Sequence, residues 1–200
     1  MGRRFLGSMV LVIALGLLLS GCGGKDPHLQ RYSSGKSIQT CRIAILPFIN
    51  KSAYDQGDKI LYRILLSQLV IAQRWDVALE GDMNDLYRQL HIRPWHHPTP
   101  EQLQIIASRL NADILIGAEV LQMQEAIEGN YVNPRIEVQL NVYRGDTGTR
   151  LWSTYHKKQG LDYRKVMHFG LNNSVSQLGT TIIKEILSLW KDEALLHCQN

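Results

Sequence analysis

The sequence predicts an α/β chain, a mixed αβ sandwich in which parallel βα units are followed by an antiparallel meander and a C-terminal helix. Three observations carry this. Short apolar runs at 41–48 and 112–123 are separated by segments whose apolar residues recur at three- and four-residue steps, the alternation of buried strand and one-faced helix that builds parallel βα units. Ile136, Val138, Leu140 and Val142 then alternate with Glu137, Gln139, Asn141 and Tyr143, the period-two pattern of a strand with one apolar and one polar face. Last, Val175, Leu178, Ile182, Ile186 and Leu189 share one face of a closing helix. A length of 200 residues with 44% apolar and 20% charged residues suits one globular domain and excludes a disordered, collagenous or coiled-coil chain.

Cys41-Arg-Ile-Ala-Ile-Leu-Pro-Phe48 is the first strand, closed by Pro47. After a polar loop from Asn50 to Gly57, the residues Ile60, Leu61, Ile64, Leu65 and Leu69 mark a helix ending near Arg74, and Trp75–Leu79 reads as a second strand. Asp82 is the expected N-cap of a short helix carrying Met83, Leu86, Tyr87 and Leu90, followed by a loop from His91 to Pro98. Thr99-Pro-Glu-Gln102 is a capping box with proline at the first helical position, and Leu103, Ile106, Ala107 and Leu110 form the buried stripe behind it. Ala112–Met123 is long enough for a core strand that runs past the sheet edge, and Gly129-Asn130 marks a turn beyond it. Gly145-Asp-Thr-Gly148 makes the hairpin turn into a strand at 149–156.

The first 22 residues carry a different signal. Arg3 and Arg4 precede an uncharged run from Phe5 to Leu19, about 15 residues, short of the roughly 20 that an α-helix needs to span the hydrocarbon core. This predicts a cleaved secretory signal over 1–21 rather than a retained membrane helix. Leu19-Ser20-Gly21-Cys22 resembles the lipobox of bacterial lipoproteins. The resemblance implies that the Cys22 thiol takes a diacylglycerol and becomes an acylated N-terminus; the bland alternative is a plain signal peptide with an incidental cysteine. Several acyl chains at one terminus hold a protein on a membrane without spanning it. Lipoproteins kept in the inner membrane carry Asp after the cysteine, and Gly23 stands there, so the resemblance implies the outer membrane.

Residues 23–40, with Gly23, Gly24, Pro27, Ser33, Ser34, Gly35 and Ser37, show no period and read as a tether, so that 22–40 is a lipidated linker and 41–200 the folded domain. Fully extended, these 18 residues reach about 60 Å, which keeps the domain close to its membrane. The formal charge is +4; Arg3 and Arg4 leave with the signal, and 20 basic against 18 acidic residues then give +2. A nucleic-acid partner loses its electrostatic basis. The exported compartment is oxidising, and Cys41 and Cys198 lie near the two ends of the domain. They form either a disulfide or two separate reduced thiols.

The sequence holds no catalytic motif. Ser34-Gly35-Lys36-Ser37 resembles the end of a phosphate-binding loop, but Gln30 stands where the opening glycine belongs and the stretch precedes a strand instead of following one. His91, His96 and His97, with Trp95 and Glu101, are the one cluster with metal-ligand chemistry, although neighbouring His96 and His97 in a Pro-bounded loop point poorly at one ion, and a solvated loop is the simpler reading. No cofactor is expected. Trp152 and Tyr155 lie on one strand as core residues or as aromatics facing a partner or membrane.

Arg42-Ile-Ala-Ile-Leu-Pro-Phe-Ile-Asn50, Leu110-Asn-Ala-Asp-Ile-Leu-Ile-Gly-Ala-Glu119 and Asp146-Thr-Gly-Thr-Arg-Leu-Trp152 resemble, in order and spacing, three landmark segments of the CsgG-like periplasmic lipoproteins over about residues 41–190. That resemblance implies an αβ sandwich without catalysis that works as a structural part of export or envelope-assembly machines. The chain has no spare segment for the transmembrane hairpins of the secretion channel in that family, whose strands need about 9–11 alternating residues. Its tether is short for the peptidoglycan-synthase activator. The remaining likeness, including Gly160–Gly170, is to the subgroup serving Pel polysaccharide export, which implies a homo-oligomeric ring on the periplasmic side of an outer-membrane porin and a polysaccharide as cargo. A cationic polymer would require acidic side chains grouped on one face. The alternatives are an accessory lipoprotein that regulates a peptidoglycan synthase or another envelope-assembly machine, and a metal- or nucleotide-dependent enzyme using the histidine loop.

Overall fold

A computed structural model of the protein describes residues 26–32, 40–164, 170–196 and 198. The signal segment, Cys22 and most of the tether lie outside the described residues, as does the middle of the Gly160–Gly170 segment. The described strands are β1 (His28–Arg31), β2 (Arg42–Ile45), β3 (Ile49–Asn50), β4 (Asp76–Val77), β5 (Ile114–Glu128), β6 (Tyr131–Arg144) and β7 (Arg150–Gln159). The described α-helices are α1 (Gly57–Ala72), α2 (Glu80–Gln89), α3 (Pro100–Leu110) and α4 (Val175–Asp192), and a 3-10 turn occupies Gly160–Tyr163.

One mixed sheet runs in the order β1-β7-β6-β5-β2-β4, with β3 paired to β5. β2 pairs in parallel with β4 and β5, while β5, β6, β7 and β1 are antiparallel neighbours, the predicted division into parallel units and meander. The apolar stripes explain the layers. Leu61, Leu65 and Leu69 of α1 and Ile182, Ile186 and Trp190 of α4, all fully buried, pack on one sheet face over Ile43, Ile116, Val138 and Leu140. Each such side chain contributes about 1.5–3 kcal/mol of burial. On the other face Met83, Leu86 and Tyr87 of α2 and Leu103, Ile106 and Leu110 of α3 form a smaller core over Ala44, Leu46 and Leu115.

Local chemistry accounts for most boundaries. The Thr99 hydroxyl accepts from the Gln102 N–H at 3.3 Å and the Gln102 side chain accepts from the Thr99 N–H at 2.9 Å, with Pro100 at the first helical position, as the sequence predicts. Gly148, in the β6–β7 turn, has φ +65 and lies so close to α3 that a Cβ there would stand 2.2 Å from the Pro100 carbonyl oxygen.

The structure differs from the sequence reading in several places, among them the short strand β3 and the trimming of the 75–79 strand to Asp76–Val77. His28–Arg31, expected as part of the tether, is the edge strand β1, paired with β7 from His28↔Tyr155 to Arg31↔Trp152. Its backbone ladder needs no side-chain pattern, and Leu29 alone packs on the main core. Helix α2 starts at Glu80 with Leu79 in the capping position, not at Asp82, and Glu80 and Asp82 both lie in its first turn, where carboxylates favour the helix dipole. The β5–β6 hairpin is longer at both strands than the apolar alternation marks, because polar residues on both sides of the turn continue the backbone pairing to Glu128↔Tyr131.

Candidate interaction surface

Because α2 and α3 pack on β2 and β5, the same side of β6, β7 and β1 is left to polar side chains. The register builds that face row by row: Glu119, Gln139, Tyr155 and His28 form one row across β5, β6, β7 and β1, and Gln122, Glu137 and Lys157 form the next toward the β5–β6 turn. Asn141 and Ser153, in the row on the other side, are buried with their polar ends among larger neighbours. Gln139 donates to the Asn141 side-chain oxygen at 3.3 Å.

Charges on this face are paired. The Glu119 carboxylate, only 14% exposed, holds the Lys51 ammonium on one oxygen and His97 Nε2 at 3.0 Å on the other. Lys157 lies 2.9 Å from Glu137, and its hydrogen bond holds the Glu137 carboxyl below the usual carboxylate range while raising its own pKa. Arg135 lies 2.9 Å from Glu128, whose pKa is lowered first by the hydrogen bond from Asn133. At the β6–β7 turn end, the Arg150 guanidinium sits over the rings of Tyr32 at 5.4 Å and Tyr143 at 5.7 Å. Hydrogen bonds from Ser153 and Arg150 lower the Tyr32 pKa, whereas burial raises that of Tyr143.

A cavity of about 320 Å³ lies between α1 and α2, with Asp58, Glu80, Lys59 and Arg63 among its walls. Tyr62 also lines it, its phenol pushed up to about 12 by burial. With cation partners on Glu119, Glu128 and Glu137 and mixed signs in this cavity, the acids among the described residues do not gather into a single negative face.

Beside the main core, β7 and α4 are joined by a part-buried polar chain. His156 is 2% exposed, its Nε2 lies 2.5 Å from Glu185, and the Tyr163 hydroxyl donates to the other Glu185 oxygen at 2.8 Å. Burial lowers the His156 pKa against the opposing pull of Glu185. Between the folded and unfolded values the unfolded chain therefore binds more protons, so this histidine contributes stability above the unfolded value and loses it as pH falls through the lower folded one. The expected outcome is that His156→Gln flattens the fall of the urea midpoint between about pH 7 and pH 5, measured against the parent chain; equal slopes would contradict it.

The predicted site residues sort as follows. Cys22 lies outside the described residues. Cys41 and Cys198 are joined, Cα to Cα 4.8 Å. Trp152 is not a partner-facing aromatic: it is 4% exposed and meets Trp190 edge-on at 5.8 Å, because its register position faces the α1–α4 layer. Tyr155 stays half-buried on the polar face. The histidines diverge: His91 ends the turn after α2 with φ +53, His96 lies against Trp95, and His97 reaches Glu119. Among the described residues no group of three His, Cys, Asp or Glu is placed to hold a metal ion. Sequence reasoning missed Tyr32, Glu119, Arg150 and the His156–Glu185–Tyr163 chain; alternation in β6 signalled a polar face but not which strands the helices leave open.

No protein-family model matches the sequence, and no curated protein matches it either. Solved structures do. The subunit of a PelC dodecamer from Paraburkholderia phytofirmans superposes with a TM-score of 0.56 at 14% identity, covering 86% of this chain and 99% of that one. The chain shares the PelC fold. The lipoprotein GNA1162 from Neisseria meningitidis superposes with a TM-score of 0.55 at 13% identity, covering 76% of this chain and 99% of that one. At these identities the likeness to PelC and GNA1162 is one of fold, and among the described residues no helix is long and apolar enough to cross a membrane.

Proposed function

We propose that the chain is a non-enzymatic outer-membrane lipoprotein, held by a lipidated Cys22 and facing the periplasm, that assembles into a homo-oligomeric ring serving polysaccharide export through an outer-membrane porin. The observation that carries this reading is the fold shared with the PelC dodecamer subunit over 99% of its length. The Leu19-Ser20-Gly21-Cys22 segment supports the anchor, and the three CsgG-like segments at 42–50, 110–119 and 146–152 support membership in that group of envelope proteins. Paired charge on the open sheet face bears on how such a ring handles a polymer. Side-chain amides, phenols and neutralised ion pairs offer hydrogen bonds to sugar hydroxyls without a strong field of either sign. Acids available to a bore include Asp58 and Glu80 at the starts of α1 and α2, which share one cavity with Lys59 and Arg63, so that a strong negative field there would need neighbouring copies to add their own.

The test is the mass of the lipidated chain, extracted in mild detergent, by light scattering across a concentration series. A closed assembly of constant mass is expected. A monomer at every concentration would sink the ring and leave only the envelope lipoprotein.

A further inference from the structure

β1 sets the direction of the described residues that precede it. His28 is level with Tyr155 and, through it, with Gln139. Because β1 is antiparallel to β7, residues before His28 run toward Gln159 and Arg135, in the direction of the β5–β6 turn. Asp26 confirms this course, since it lines a cavity of about 370 Å³ with Arg135, Lys157, Lys158 and Gln159.

Chain length then decides what meets the membrane. Cys22 is six residues from His28, a reach of at most about 20–22 Å at 3.3–3.6 Å per residue. From Gln139 to Tyr131 the hairpin extends eight residues, about 27 Å at 3.4 Å each. Even a fully extended leader leaves Cys22 short of the hairpin tip, so a bilayer that holds acyl chains on Cys22 lies within reach of the tip.

The tip has the chemistry of an interfacial contact. Ile127, 82% exposed, is the most exposed large apolar side chain among the described residues. It is paired across the hairpin with Val132, and Tyr131 follows the turn. Arg135, three rungs below Val132, is held by Glu128 and Lys157 by Glu137, while Lys158, opposite Ile136 four rungs below Val132, adds a cation on the side that would face phosphate headgroups. We infer that the β5–β6 hairpin tip, through Ile127, Tyr131 and Val132, seats on the lipid surface that carries the anchor, so that the sheet stands with its hairpin end toward the membrane and its disulfide end toward the periplasm. The inference rests on the lipid-anchored reading of Cys22. An apolar tip this short dips into the interface and does not span it.

The experiment uses the full lipidated chain in vesicles of phosphatidylethanolamine and phosphatidylglycerol. Flotation of the unmodified chain comes first: a chain that fails to float with the vesicles overturns the anchored reading and this inference with it. Given flotation, Ile127→Trp is compared with Ile71→Trp, a position near the end of α1 beside Trp75, at the opposite end of the sheet. Lipids brominated on their acyl chains are expected to quench the added emission at 127 and shift it to the blue, leaving that at 71 unchanged. Quenching at 71 instead, or at neither position, overturns the hairpin contact while the anchor stands. In the unmodified chain, amide exchange over 126–132 is expected to slow on vesicles; unchanged exchange overturns the contact independently of any substitution.

Discussion

Removing the Cys41–Cys198 cross-link is expected to lower the stability of the domain by about 3–5 kcal/mol. The two cysteines are 157 residues apart in sequence, so the bond closes a loop containing almost the whole domain. In the chain-entropy model a loop of that length restricts the unfolded ensemble by about 5 kcal/mol, toward the upper end of what native disulfides contribute in small exported domains. The native state adds a second contribution. Cys41 leads into β2 at the centre of the parallel pairing, and Cys198 follows Leu196, which is buried in the main core beyond the end of α4. With the bond open, that tail is free to fray from the core. At roughly 2–4 °C per kcal/mol for a domain of this size, the melting temperature should drop by about 10 °C on reduction, and by the same amount in a Cys41→Ser/Cys198→Ser chain. Thermal unfolding with and without reductant makes the measurement, with thiol titration of the denatured chain as control. Two titratable thiols and an unchanged melting temperature would mean that the pair is reduced.

Trp190→Ala is the substitution expected to cost most, about 3–5 kcal/mol from lost burial and the cavity left behind. The ring is fully buried, packs edge-on against Trp152 at 5.8 Å, and its Nε1 donates to the buried Thr154 hydroxyl at 2.7 Å. Truncation removes the largest side chain between α4 and β7 and strands the Thr154 hydroxyl without that donor, a further penalty of about 1–3 kcal/mol unless water enters. Since domains of this kind are stable by only about 5–15 kcal/mol, much of the total is at stake. Trp190→Phe separates the two effects. It keeps most of the apolar contact and loses the hydrogen bond, so its urea midpoint should lie between those of parent and Trp190→Ala. A Phe variant as unstable as the Ala variant would show that the hydrogen bond, not the packing, dominates.

Much of this architecture is legible without coordinates, for a physical reason that differs from element to element. The period-two alternation of β6 and the three- and four-residue steps of α1, α3 and α4 are imposed by a buried face, and a buried face leaves its period in the sequence. The capping box at Thr99 is a local hydrogen-bonding device and reads equally well. β1 is not legible, because an edge strand held by backbone pairing and one apolar residue writes almost no pattern. Nor is the fate of Trp152, whose strand position is readable but whose side of the sheet depends on where α1 and α4 settle.

The sequence by itself determined the fold class and the order of the elements other than the short strands β1 and β3, and it holds no recognisable catalytic motif, since each of these rests on composition, local periodicity or contiguous residues. Only the tertiary structure decided that Cys41 meets Cys198, that the three loop histidines part company, that Glu119 and Glu137 of the open face take cationic partners, and that His28–Arg31 joins the sheet as an edge strand on β7. Those are relations between residues distant in the chain. Strand order and register set them, and no local window of sequence encodes either.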